Sequence, residues 1–345
     1  GRPPAGDTLY NACPRRFIVG NNSAISMPTV LLIRVSSLGD VVQTFPAVTD
    51  MQRHVKELSL DWLVEEAYVP LMRLHAGVRR ALPFALRRWR KSRSLTTFCR
   101  EFLELRRTLR GGCYDAVIDS QGLLKSVIPA MLARGPVYGF GPGTVREPFV
   151  ARFYDHTFEF PPDVHRIWHY RGLAARAFGY APDEAIDYGL RKPARPGWIE
   201  APRYVVLLHS TARSEKLWSE ANWIEAGRWL ASRGIVCVLP WGNDEERARA
   251  ERLAKFIPDA QVAPQLRVDE AGALLAHATA VVGVDTGLMH LAVAFEVPVV
   301  GIYVATRPLH HGPLGRGPTA FRGGMGEAPT AAEVLDALGE VAELG

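Results

Sequence analysis

The chain has 345 residues, 48% of them hydrophobic and 22% charged, with a formal net charge of +5. That balance describes a globular protein and excludes wholesale disorder, collagen and a coiled-coil rod. No apolar run approaches the ~18 residues a membrane span needs. The four cysteines, Cys13, Cys99, Cys113 and Cys237, are scattered without a C-x-x-C pair. They argue against a disulfide scaffold or zinc knuckle and suit a reducing compartment. A single core stops growing near ~250–300 residues, so two domains are expected.

Residues 1–26 carry many Gly, Pro, Asn and Ser and no periodicity. They read as a disordered tail or a foreign remnant, with Met27 as the natural start. They lack the apolar centre of a signal peptide, which points to the cytoplasm. Residues 28–36 (PTVLLIRVS) form a near-continuous β-branched run, the pattern of a strand buried on both faces. A short turn, Ser36–Asp40, and an amphipathic helix follow. Further strands are expected at 58–64 and 114–119, with helices at about 66–76, 94–110 and 122–134. This alternation predicts a parallel sheet covered by helices. Residues 191–202 hold three prolines and read as a linker.

The alternation then restarts. Strands are expected at 203–209, 235–239, 279–284 and 298–303, and helices at 219–233, 245–256 and 286–295. Residues 329–343 have helical apolar spacing. Two doubly wound halves result, and their ligands belong beyond the carboxyl ends of the strands.

Charge divides the same way. Residues 1–200 hold 28 Lys and Arg against 19 Asp and Glu, while residues 201–345 hold 13 against 17. Twelve of the basic residues fall within 73–110, where Glu101 and Glu104 are the only acids. Such a patch suits phosphates, nucleic acid or an acidic membrane surface, but it also fits a solvated helix face. No nucleic-acid module accompanies it, so nucleic acid is not an expected partner.

Four clusters could carry chemistry. Asp40 sits where a strand hands over to a helix, and either caps that helix or faces a cleft as a proton acceptor. Asp285, Thr286, Gly287 and His290 begin a helix after a buried strand, where free N–H groups suit a pyrophosphate. There too Asp285 could be a plain cap and His290 a core residue. Thr211 and Lys216 lie in a polar loop after the strand at 203–209, and Lys216 could stabilise a leaving diphosphate. Asp244 and Glu246 could bond ribose hydroxyls or simply begin a helix. There is no G-x-G-x-x-G, P-loop, D-x-D, H-E-x-x-H or G-x-S-x-G pattern. No metal ligand set or cofactor is therefore expected.

In order, these segments resemble the heptosyltransferases of lipopolysaccharide inner-core synthesis, glycosyltransferase family 9. The resemblance covers nearly all of 28–330. It rests on VSSLGDVVQTFPAVTD (35–50), RRWRKS (87–92), YDAVIDSQGLLKS (114–126) and REP (146–148). It continues in HSTARSEKLW (209–218), LPWGNDEER (239–247) and VDTGLMHLAVAF (284–295). The RRWRKS and DSQGLLKS pieces favour the family member that adds the first heptose.

The resemblance implies a GT-B architecture, two Rossmann-like domains facing across a cleft. An acceptor-binding domain would span 27–190, and a nucleotide-sugar-binding domain 203–328. The linker at 191–202 would join them, and a C-terminal helix would occupy 329–345. It implies inverting, metal-independent transfer of L-glycero-D-manno-heptose from ADP-heptose to the first Kdo of Kdo2–lipid A, at the cytoplasmic face of the inner membrane. It makes Asp40 the catalytic base and puts Lys216 and Thr211 at the donor phosphates. Asp285, Thr286, Gly287 and His290 match the donor motif, and Asp244 and Glu246 both stand for the ribose acid. Arg87, Arg88, Arg90, Lys91, Lys125 and Arg146 match or neighbour acceptor-side positions. The alternatives are a family member with a later acceptor and a GT-B nucleotide-sugar 2-epimerase, which needs no acceptor.

Overall fold

Apolar runs rich in Val, Ile and Leu become the central strands of two parallel sheets. The computed structural model describes residues 27–92, 94–211, 213–305 and 312–344, so the segment 1–26 lies outside the described residues. In the first half the chain runs β1 (Thr29–Ile33), α1 (Leu38–His54), β2 (Ser59–Glu65), α2 (Val69–Met72), β3 (Val78–Phe84), α3 (Leu86–Lys91) and α4 (Leu95–Arg110). It continues with β4 (Ala116–Asp119), α5 (Leu124–Leu132), β5 (Val137–Phe140), β6 (His156–Phe158) and α6 (Arg166–Phe178). The second half runs β7 (Tyr204–Leu208), α7 (Glu220–Ala231), β8 (Val236–Leu239), α8 (Asp244–Ala254), β9 (Gln261–Val262) and α9 (Val268–Ala276). Then come β10 (Ala280–Val284), α10 (Gly287–Ala294), β11 (Val299–Tyr303), β12 (Thr319–Gly323) and α11 (Ala331–Val341).

The strand orders are β3-β2-β1-β4-β5-β6 and β12-β11-β10-β7-β8-β9. All pairings between these strands are parallel. Both sheets thus have the same doubly wound topology, reversing direction between β1 and β4 and between β7 and β10. At such a reversal the flanking helices leave on opposite faces and open a crevice at the strands' carboxyl ends. The expected α/β class, two doubly wound sheets, is what the chain adopts.

Residues 191–202 contain neither helix nor strand. Helix α11 packs Ala331, Val334, Ala337 and Leu338 into the core of the second sheet. The halves meet where α1 lies against α10. A Cβ on Gly287 would stand 2.8 Å from Leu38 Cβ and 2.9 Å from the Gly39 backbone nitrogen. Only glycine lets the two helix starts approach this closely.

Two sequence expectations change. The helix expected at 66–76 is a short turn plus the four-residue α2. The basic segment 73–110 is not one helical face, because it contains the edge strand β3 before α3 and α4.

Candidate active site

The carboxyl ends of the two sheets enclose a cleft of about 1600 Å³. Its first wall comes from the segments after β1 and β4, and its second from those after β7 and β10. These are the reversal points of the two sheets.

Asp40 occupies the first turn of α1. Its Oδ2 accepts from the Ser37 backbone N–H at 3.1 Å and from the Ser37 hydroxyl at 2.8 Å. The capping reading therefore holds. Its Oδ1 meets Arg34 Nη2 at 2.7 Å and accepts from the Tyr170 hydroxyl at 3.0 Å. The cap thereby fixes one carboxylate edge and presents the other inward. Arg34 is itself pinned: it donates to the Ser120 carbonyl, donates to Tyr170 at 2.7 Å and stacks 4.5 Å over the Tyr170 ring. Burial pushes the Asp40 carboxyl up, but it is outweighed by the Arg34 charge, the two Ser37 bonds and the Tyr170 bond. The net result holds Asp40 well below the usual carboxylate range. It is an ionised carboxylate, 27% exposed, in the cleft wall.

The facing wall carries the opposite chemistry. Lys216 Nζ lies 2.5 Å from Asp285 Oδ2. The Thr211 hydroxyl donates to the Asp285 carbonyl at 3.0 Å. Thr286 precedes α10 in an extended conformation, and its side chain makes no capping bond. The first N–H groups of α10 and Lys216 thus lie on the same cleft wall, an arrangement that suits an anion. Gly287 and His290 line the cleft and also join the halves. His290 is buried, with Nδ1 3.3 Å from Gln43 Nε2, and its ring would lie 2.8 Å from a Cβ on Gly39.

Glu246 lines the cleft, and its Oε2 accepts from the Gly242 N–H at 2.7 Å. Asp244 is not among the lining residues. Pro240, Trp241, Leu266, Val268 and Ala271 add apolar surface to the same cleft. His209 is fully buried beside Ser210, and burial, aided by the Arg249 charge, lowers its pKa to about 4. It stands there as a neutral ring.

Of the basic candidates, Arg87 and Arg146 line the cleft. Lys125 donates to the Ser36 hydroxyl at 2.6 Å, and burial together with Arg34 and Arg90 lowers its pKa. Arg88 is held between Glu66 and Glu101 on the surface, and Arg90 and Lys91 are exposed outside the lining. Sequence reasoning missed Arg34, Tyr170 and Arg166, all of which line the cleft. An arginine inside the otherwise apolar run PTVLLIRVS was the one available signal for Arg34.

One wall therefore offers an ionised carboxylate among arginines. The other offers an ammonium and a helix start, with apolar surface in the same cleft. That pairing suits attack by an activated hydroxyl on a carbon whose leaving group is a phosphate.

The glycosyltransferase family 9 (heptosyltransferase) pattern matches residues 102–337. Lipopolysaccharide heptosyltransferase 1 of Pseudomonas aeruginosa is 40% identical over 289 residues, 83% of this chain and 81% of its own length. The structure of E. coli heptosyltransferase WaaC with ADP superposes with a TM-score of 0.83 at 35% identity, covering 91% of this chain and all of that one. The same enzyme with ADP-2-deoxy-2-fluoro heptose gives 0.81 over the same shares. The chain belongs to glycosyltransferase family 9, the heptosyltransferases.

Proposed function

We propose that the chain transfers L-glycero-D-manno-heptose from ADP-heptose to the first Kdo of Kdo2–lipid A. The observation that carries this reading is that an ionised Asp40 lines the same cleft as Lys216 and the start of α10. The related WaaC, solved with ADP and with an ADP-heptose analogue, supports the donor. The likeness to a heptosyltransferase 1 supports the acceptor.

In this reading the ADP moiety lies on the second half. Its base rests on the apolar surface, its ribose meets Glu246, and its phosphates meet Lys216, Thr211 and the α10 N–H groups. The Kdo carboxylates and neighbouring phosphates meet Arg87, Arg146 and Lys125. The acceptor hydroxyl oxygen attacks the heptose anomeric carbon from the face opposite the phosphate. The carbon–oxygen bond to ADP breaks and its electron pair leaves with ADP. The hydroxyl proton passes to Asp40. A single displacement inverts the centre.

Asp40 is a weak base, so it takes the proton late, once the attacking oxygen has become strongly acidic. Lys216 and the helix start supply the charge that meets leaving ADP, an effect worth ~3–4 kcal/mol per well-placed donor. Activity should therefore persist in EDTA. The acceptor is a lipid, so the enzyme works at the cytoplasmic face of the inner membrane. Among the described residues no helix is long and apolar enough to cross a membrane, and contact with the bilayer would be peripheral.

The test is ADP release from ADP-heptose in EDTA, with and without deacylated Kdo2–lipid A. Release that needs this acceptor is expected. Release only when a first heptose is already in place would move the assignment to a later family member. Release from the donor with no acceptor would favour an epimerase-like reaction.

A further inference from the structure

Helix α5 has an unusual surface. Its sequence, LKSVIPAML, holds only two polar residues. Val127 and Ala130 point into the core beneath the first sheet, with Leu105 and Leu109 of α4 and Val150, Ala151 and Tyr154. On the other side Leu124, Ile128 and Met131 are 48%, 42% and 48% exposed. Their spacing of i, i+4 and i+7 makes one outward stripe. A helix apolar on all sides is ordinarily covered.

The elements packed against α5 expose apolar side chains as well. The 3-10 turn Pro148–Phe153 packs on α5 and turns Phe149 and Phe153 outward. Helix α4 packs on α5 as well, and exposes Leu95 and Leu103. Eight of the twelve large apolar side chains exposed among the described residues lie between Leu95 and Phe153. That concentration is a patch, whereas scattered exposure needs no explanation.

The patch is set in positive charge. Residues 87–152 hold thirteen Lys and Arg against five acids, and the rest of the chain holds more acid than base. Of those five acids, Asp119 is buried under bonds from Tyr154 and Ser126, and Glu101 is engaged by Arg88 and Trp89. A second copy of the chain would set like charges against each other across a two-fold contact. An anionic surface would meet both features.

The patch also adjoins the cleft. Leu123 lines the cleft and Leu124 begins α5, while Arg146 lines it and Phe149 is exposed three residues on. We propose that the outer face of α5, with Phe149, Phe153 and the flank of α4, inserts into the interface of an anionic bilayer, so that the acceptor side of the cleft opens onto the membrane. This rests on the reading that the acceptor is lipid-borne. The aromatic and aliphatic side chains enter the headgroup boundary while the arginines stay at lipid phosphates.

The experiment is sedimentation with vesicles of phosphatidylethanolamine and phosphatidylglycerol, against vesicles of phosphatidylcholine alone, using wild type and the double variant Ile128→Asp, Met131→Asp. Both positions are exposed and outside the cleft lining. The wild type is expected to bind the anionic vesicles, less so as salt rises. The variant is expected to bind on the order of ten-fold or more weakly. Its turnover of deacylated acceptor should match wild type, and its turnover of vesicle-borne acceptor should fall. Equal sedimentation of variant and wild type, or no wild-type binding, would overturn the proposal. So would a variant that changes only the monomer–dimer balance, which would make this face a contact between copies. Turnover of deacylated acceptor separately reports the transfer reaction, so loss of one reading is not loss of the other.

Discussion

Substituting Arg34 by Gln removes the positive charge beside Asp40 while keeping a polar, though shorter, side chain. The pair is 2.7 Å apart, with side chains 7% and 27% exposed. An adjacent arginine lowers an aspartate pKa by ~1–3 units, about 1.4 kcal/mol for each. Burial opposes that effect and remains after the substitution. The Ser37 and Tyr170 bonds still favour the carboxylate, so the Asp40 carboxyl should rise toward the ordinary ~3.9. The assay is kcat/KM against pH on deacylated acceptor, from pH ~3 upward. Wild type should show no acid limb from Asp40 there. Arg34→Gln should show one, and Arg34→Lys, which keeps the charge, should largely restore the wild-type profile. An Arg34→Gln profile that overlays wild type at lower amplitude would refute the electrostatic role. Stability follows the same linkage. A depressed native pKa contributes stability that is present above the unfolded value and lost as pH falls through the native one. The variant should therefore be less stable than wild type at neutral pH, by ~3 kcal/mol, the low end for a broken buried pair because Asp40 keeps other donors. The deficit should narrow as pH falls below ~4.

Other substitutions separate the remaining roles. Glu246→Gln should weaken ADP binding by roughly ten-fold, the loss of one charged hydrogen bond, while Asp244→Asn leaves it unchanged in titration calorimetry. The reverse order would exchange their roles. Lys216→Met should lower kcat by ~10²–10³, and a steady-state kcat equal to wild type would remove it from the reaction. Gly287→Ala should lower the melting temperature through an overpacking cost of ~1–3 kcal/mol, because its Cβ would press on backbone at Gly39. An unchanged melting temperature would mean that the two halves part without cost.

Much of the fold was readable because the central strands are continuous apolar runs. PTVLLIRVS and TAVVGV become β1 and β10, each at the reversal point of its sheet. Their following turns carry Asp40 and Asp285, so the centre of the site was readable too. Helix α6 was not, because its polar letters point inward. Arg171 is fully buried against Asp50 at 2.6 Å, so charge does not mark the outer face there. Strand β3 was hidden for the opposite reason: as an edge strand it exposes Arg79 and Arg80, which pair with the buried Asp61 of β2. Tyr170 bonds an aspartate 130 residues away, a contact no local pattern encodes. Which of Asp244 and Glu246 lines the cleft also needed geometry. Both begin α8, and only Glu246 turns toward Gly242 and the cleft.

In the proposed reaction Asp40 takes the proton of the acceptor hydroxyl while the second half holds ADP. This is tested most directly by acceptor-dependent ADP release from Asp40→Asn, measured beside its ADP affinity. The rate should be lower by ~10²–10⁴, the usual worth of a positioned base, with ADP binding close to wild type. Release at the wild-type rate, or loss of ADP binding in step with release, would contradict it.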